Sequence, residues 1–228
     1  MYQHEILKKF ISGLAKGYSN SLIVVSPAGY GKTETTIETM KELGYQEGRN
    51  YRYVSNYVSP CEFFNLLVDI NYLQEPKILI LDDVEEILRE KRILGILKGA
   101  LWEIDGKRKI NWFSGTYKIK NKEVDFQGKI IFLLNEFNKK SALLKAVADR
   151  GLFYEIKLTI PEMFELMEKR ANEKEYQGIS KEKRIEIVQF LQRSTNNNQD
   201  ITLRLLPKAY NLFLLSPNHW QKLVFELL

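Results

Sequence analysis

The chain of 228 residues contains one cysteine, two histidines and six prolines. A lone thiol, Cys61, cannot close an internal disulfide, so the sequence suits a reducing cytosol. Cys61 is expected as a buried helix residue. The histidines, His4 and His219, stand isolated, which argues against a metal role, and no zinc-ligand spacing occurs. No Ser/His/Asp set for nucleophilic catalysis is present either. Apolar residues nowhere run for the roughly 20 positions that a membrane span needs. Thirteen glycines and six prolines are too few for a collagen-like or linker chain. Charge of one sign is also scarce: 34 basic against 29 acidic residues leave +5 and a pI near 9.0. That balance admits a nucleic-acid partner without requiring one. The segment from Met1 to Lys16 mixes Glu5, Lys8, Lys9 and Lys16 into an amphipathic pattern, unlike a signal peptide. What remains is 44% hydrophobic, 12% aromatic and 28% charged, a globular composition with ample core.

Helices alternate with short apolar strands along the first two thirds of the chain. Ile6, Leu7, Phe10, Ile11 and Leu14 share one helical face, and the helix is expected to stop near Gly17. Strands are expected at Ser21 to Ser26, Tyr51 to Ser55, Lys77 to Leu81, Lys129 to Leu134 and Phe153 to Leu158. Gly44 is placed to cap a helix opening at Lys32, and Ser59-Pro60-Cys61-Glu62 carries a helix-start signature. A helix is expected to follow Asp83 and run to about Ile104. Continuous apolar strands between helices predict a parallel sheet covered on both faces. Beyond Thr159 the strand signal ends. Helix starts are read at Thr159, Ser180, Asp200 and Ser216, with the third helix spanning Ile201 to Leu214. The expected division is an α/β domain over 1–159 and an all-helical domain over 160–228.

Ser26-Pro27-Ala28-Gly29-Tyr30-Gly31-Lys32-Thr33 follows the first strand and opens a helix. Strand, glycine-rich loop and helix are the context of a phosphate-binding P-loop. Main-chain N–H groups of Gly29, Gly31 and Lys32 can converge on a phosphate at the positive end of the helix. Lys32 would reach the β and γ oxygens of ATP, and the Thr33 hydroxyl would hold Mg²⁺. Pro27, Ala28, Tyr30 and Glu34 complete the expected nucleotide contacts. Ser26 stands where the general pattern begins with glycine. The apolar run KILIL ends on Asp82, a site from which an acid reaches Mg²⁺, and Asp83 next to it could orient the attacking water.

On these motifs the chain resembles AAA+ ATPases: five strands in the family's order, the P-loop after the first, the acidic pair after the third. The likeness covers essentially the whole chain. It implies a five-stranded parallel AAA+ sheet, a helical lid, and ATP hydrolysis in the cleft between sheet and lid. It further implies that Asn135, ending the fourth strand, senses the γ-phosphate and the attacking water. Arg150 would reach into a neighbouring subunit's ATP, and Arg204 would clamp phosphate from the lid. Family members usually carry Glu after the metal-binding Asp. Asp83 is one methylene shorter, so slow hydrolysis, or a contribution from Glu85 or Glu86, is an open alternative. An Asp-Asp pair also resembles superfamily 3 helicases of viruses and plasmids. The implied assembly is a homo-oligomeric ring, a hexamer, in the cytoplasm.

Residues 105–129 are an insert that a minimal ATPase does not need. Lys107, Arg108, Lys109, Lys118, Lys120 and Lys122 are basic, and no acid lies between Lys107 and Lys122. Ile110, Trp112 and Phe113 are expected to face Tyr117 and Ile119 across Ser114-Gly115-Thr116 in a β-hairpin. Lysines on phosphates, with Trp112 stacking on a base, would suit DNA. A solvated hairpin whose aromatics pack on the domain is the competing reading. The functional expectation is a DNA-acting ATPase: a replication helicase, a helicase loader or a mobile-element motor. A protein-remodelling or regulatory ATP switch that hydrolyses weakly, with a partner protein or domain, is the alternative.

Overall fold

The structure, a computed structural model, describes residues 3–55, 57–112, 122–137, 142–195 and 201–226. Its contacts divide the chain into two units: Met1–Pro27 with Lys32–Ile156, and Ala28–Gly31 with Lys157–Leu228.

In the first unit, α1 (Gln3–Ala15) leads into β1 (Ser21–Val25), α2 (Lys32–Glu42), β2 (Tyr51–Ser55), α3 (Pro60–Ile70) and β3 (Ile78–Asp82). A short 3₁₀ turn, Ile87–Arg89, precedes α4 (Lys91–Leu101); the single helix expected after Asp83 is therefore broken and ends sooner. The hairpin strands β4 (Lys109–Trp112) and β5 (Lys122–Asp125) follow, then β6 (Lys129–Leu134), α5 (Ala142–Ala148) and β7 (Leu152–Glu155). The main sheet is parallel, in the order β2-β3-β6-β1-β7. Its central strands are buried from end to end, which is why they read as unbroken apolar runs rather than alternating ones. Phe63, Phe64 and Leu67 of α3 and Ile93, Leu97 and Ala100 of α4 pack with Leu79, Leu81, Ile130 and Phe132 into one core. Helix α3 starts as its sequence requires: Ser59 and Glu62 form a reciprocal capping box with Pro60 at the first turn. Cys61, expected buried, is half-buried at the edge of this core.

The hairpin sits on α4. A Cβ built on Gly99 would lie 2.2 Å from the Lys109 carbonyl oxygen, so only glycine lets β4 pass this close. Register corrects one expectation. Trp112 is opposite Lys122 and Ile110 opposite Val124, so neither faces Tyr117 or Ile119. Polar Lys122–Asp125 alternates weakly and gave no strand signal of its own. Phe113, the expected turn at Ser114-Gly115-Thr116, Tyr117, Lys118, Ile119 and Lys120 lie outside the described residues.

The second unit holds α6 (Ile160–Glu173), α7 (Lys181–Ser194), α8 (Leu205–Leu215) and α9 (Trp220–Phe225) around Met163, Met167, Ile187, Leu191, Leu206 and Val224. Thr159 with Glu162 forms a second capping box, and Ser180 caps α7. Asp200 lies outside the described residues. Helix α8 starts at Leu205, not Ile201. The reason is Pro207: a helix from residue 201 would place it in the interior, where it lacks an N–H and clashes, whereas the first turn tolerates it. Helix α9 likewise starts at Trp220, after a turn in which the His219 N–H donates to the Ser216 carbonyl.

Candidate functional site

The carboxyl ends of β1, β3 and β6 lie side by side because β6 separates the other two. In an open parallel sheet, crevices at such ends are where ligands bind. The Ser26 N–H donates to the Leu134 carbonyl at 3.1 Å, tying the exit of β1 to the end of β6.

Two polar clusters form here: Lys32, Asn135, Asp83 and Glu85 in one, and Thr33, Asp82 and Tyr53 in the other. Lys32 is 5% exposed, and its ammonium donates to Asn135 Oδ1 at 2.6 Å. Asn135 Nδ2 donates to Asp83 Oδ1 at 2.8 Å, and the Asn135 main-chain N–H donates to Glu85 Oε1. The same Asp83 oxygen lies 3.9 Å from Lys32 Nζ. Asn135 can bridge a cation and a carboxylate because its amide carries both an acceptor and a donor. Asp83 adopts φ +53°, a left-handed conformation that Asp tolerates better than most residues. Its N–H donates to the Leu133 carbonyl at 3.0 Å, which fixes that conformation between neighbouring strands.

Asp82 is 4% exposed and asymmetrically bonded. Its Oδ2 accepts from the Thr33 hydroxyl at 2.7 Å and from the Tyr53 hydroxyl at 2.8 Å. Oδ1 is buried without any hydrogen-bond partner. Buried carboxylate oxygens are rarely left bare, so Oδ1 is placed to accept from a water or to face a cation. A carboxylate oxygen beside a hydroxyl is a donor set for a hard cation such as Mg²⁺. Tyr53 was not anticipated as a site residue. Burial, and then its hydrogen bond to Asp82, push the Tyr53 hydroxyl up to about 12, so it stays a proton donor at neutral pH.

Two loop glycines need their backbone freedom. Gly29 and Gly31 adopt φ +79° and +83°. Within the second unit the Gly29 carbonyl accepts from the Leu203 N–H at 2.9 Å, and the Thr202 side chain fills the place of a Cβ. A Cβ at Gly29 would lie 2.8 Å from Thr202 Cβ, whereas at Gly44, also at φ +79°, nothing lies within 4 Å. Gly29→Ala is therefore expected to destabilise the chain by about 1–3 kcal/mol more than Gly44→Ala. Thermal melts of both variants measure the difference.

No family model matches the chain, and no curated protein does. Solved structures do. A DNA replication initiation factor aligns with 92% of the chain at 17% identity and TM-score 0.51. The Holliday junction branch migration motor RuvB of Thermotoga maritima aligns with 100% of it at 17% identity and TM-score 0.54. A variant of that RuvB gives TM-score 0.56 at 15% identity. The fold is that of the AAA+ P-loop ATPases. The chain spans 59% of the length of the replication factor and 70% of RuvB.

Other residues expected in an AAA+ site stand apart from these clusters. The Arg150 guanidinium lies 4.2 Å above the Trp102 ring and donates to the Ala146 carbonyl. Its cation–π contact is made within its own chain. Arg204 is exposed at the N-cap position of α8, not on a helix from Ile201 to Leu214.

Basic hairpin residues are engaged as well. Arg108 points inward: it donates to the carbonyls of Ala100 and Gly128 at 3.1 and 2.7 Å and stacks 5.2 Å from the Phe126 ring. Burial lowers its pKa below the ordinary arginine value. Lys109 donates to Glu123 at 2.6 Å, and Lys107 lies 3.9 Å from Asp125. Those acids follow the acid-free run in sequence, and the antiparallel register brings them back onto it. Half-buried Trp112 packs on Phe64, with ring centroids 5.9 Å apart. Among the described residues no helix is long and apolar enough to cross a membrane, and no cluster of His, Cys, Asp or Glu could hold a metal ion by itself.

Proposed function

We propose that the chain is a Mg²⁺-dependent ATPase that works on DNA as part of an oligomer. One observation carries the catalytic half of this reading. A buried lysine, next in sequence to a glycine-rich loop, bonds Asn135 at the end of β6, and a buried, half-satisfied aspartate at the end of β3 bonds Thr33. Lys32 supplies a cation for the β and γ oxygens, and the loop supplies main-chain N–H groups. Thr33 and Asp82 would hold Mg²⁺, which would supply positive charge against the developing charge of the phosphates. Asp83 accepts the proton of the attacking water, and the Asn135 amide positions that water. Glu85 anchors the main chain of Asn135, which makes it a positioning residue. Arg150 is assigned to a neighbouring subunit's nucleotide, a role in which it would leave Trp102. Arg204 is assigned to the phosphates from the lid.

The DNA half rests on the basic insert and on the fold shared with a DNA replication initiation factor and a branch migration motor. The deciding measurement is ATP turnover with Mg²⁺, in the presence and absence of single-stranded DNA, with mass in solution followed on an ATP analogue. Stimulation by DNA in an assembled species supports the proposal. A chain that binds no ATP overturns it.

A second reading is a protein-remodelling switch that hydrolyses weakly. It is favoured by the hairpin itself, where Lys107, Arg108 and Lys109 are matched by groups of the same chain. Trp112→Ala separates the two. Packing on Phe64 predicts a loss of about 2 kcal/mol in stability, less than a fully buried tryptophan would cost. DNA affinity unchanged in that variant, with a lowered melting temperature, favours the switch. A loss of single-strand affinity of roughly 1–3 kcal/mol favours base stacking and DNA work.

A further inference from the structure

Tyr53 is a polar side chain that β2 sends to Asp82, and it also hydrogen-bonds the Ser55 side chain of its own strand. Its strand is an edge of the sheet, paired with β3 so that Tyr53 stands opposite Ile80 and Ser55 opposite Asp82. From there its hydroxyl spans to the carboxylate at the end of β3. Asp82 Oδ2 thus accepts from two hydroxyls, Thr33 at 2.7 Å and Tyr53 at 2.8 Å, while Oδ1 accepts from none.

We propose that Tyr53 is a positioning residue for divalent-cation binding: its hydroxyl holds Asp82 in the rotation that leaves Oδ1 bare and turned to the cation. This rests on the nucleotide-site reading above. A carboxylate can turn about its Cβ–Cγ bond, and one hydrogen bond from Thr33 leaves that turn open. Two donors converging on the same oxygen, from different secondary-structure elements, close it. Such outer partners of a metal-bearing carboxylate typically change metal affinity by roughly 10–100-fold when removed. A second consequence concerns Thr33. The Thr33 hydroxyl donates to the same Oδ2, which leaves its own lone pairs free to face the cation.

Tyr53→Phe keeps the ring and removes only the donor, so the packing of β2 is preserved. Binding of a fluorescent ADP is measured in EDTA and across a Mg²⁺ titration, alongside melting temperature. The expected result is ADP affinity in EDTA within two-fold of the parent chain, with roughly ten-fold more Mg²⁺ needed for half-maximal tightening. In an Asp82→Asn background the same change should shift the Mg²⁺ midpoint by less than two-fold, because the group that Tyr53 positions is gone. An unchanged midpoint in Tyr53→Phe overturns the proposal. So does an equal loss in EDTA and in Mg²⁺, or a chain without a cooperative melt, since either makes Tyr53 a fold residue. Failure of the underlying site shows differently: the parent chain then binds no ADP in either buffer.

Discussion

Asp83→Asn should bind ATP with nearly parental affinity and hydrolyse it roughly 10²–10⁴-fold more slowly, the range that a positioned proton acceptor contributes. The substitution keeps the size of the side chain, and asparagine tolerates the φ of +53° that Asp83 adopts. Its amide can be turned so that its oxygen still accepts from Asn135 Nδ2, so the network of the resting site survives. Only the negative acceptor is lost. Single-turnover hydrolysis with bound nucleotide measured separately gives the two halves of the expectation. Glu85→Gln is the comparison, because Glu85 accepts the main-chain N–H of Asn135 and a neutral amide oxygen can do the same. It should lower turnover far less than Asp83→Asn does. The reverse order would move proton acceptance to Glu85.

Lys32→Ala should weaken ATP binding by about 2–5 kcal/mol, which is at least thirty-fold in affinity. Lys32 itself is 5% exposed, whereas its partner Asp83 keeps access to water, so the loss is expected in nucleotide binding rather than in stability. Removing it leaves Asn135 Oδ1 without its donor and Asp83 without its nearby cation. The fold should hold, since Lys32 opens α2 and its contacts are polar ones at the strand ends. A titration with fluorescent nucleotide, paired with a thermal melt, tests this. Near-parental affinity in a folded Lys32→Ala chain would remove the loop from the nucleotide site.

Much of this architecture could be read from residue patterns because the forces behind it are local or collective. ILILD and KIIFLL are buried along their whole length, and burial on both faces leaves a mark in sequence that needs no partner to interpret. Ser59 with Glu62 and Thr159 with Glu162 satisfy their own helix ends, so their spacing alone announces the start. Lys32, Thr33, Asp82 and Asn135 were legible because each follows a strand or opens a helix at a chemically telling point. Tyr53 was not, since a tyrosine in YRYVS is what a strand would carry for packing alone. The inward turn of Arg108 was illegible for a related reason. A basic run says nothing about which of its members turns inward to bond the carbonyls of Ala100 and Gly128. Hairpin register escaped too, because Lys122–Asp125 is polar and its pairing is set by α4 and Gly99 beneath it.

The bridging amide of Asn135 has a consequence for selectivity. The ammonium of Lys32 donates to an internal oxygen, and Asp83 is held by the same side chain. An anion that turned the ammonium away from Asn135 would give up that tether as it gained the lysine. A ligand carrying several phosphates replaces one neutral oxygen with multiple charged ones and wins easily. A lone phosphate or a nucleoside monophosphate brings less charge and fewer contacts to set against the same broken bonds. Should the proposed nucleotide site hold, this network would set a threshold on ligand charge, disfavouring weak anions by what the site loses rather than by shape.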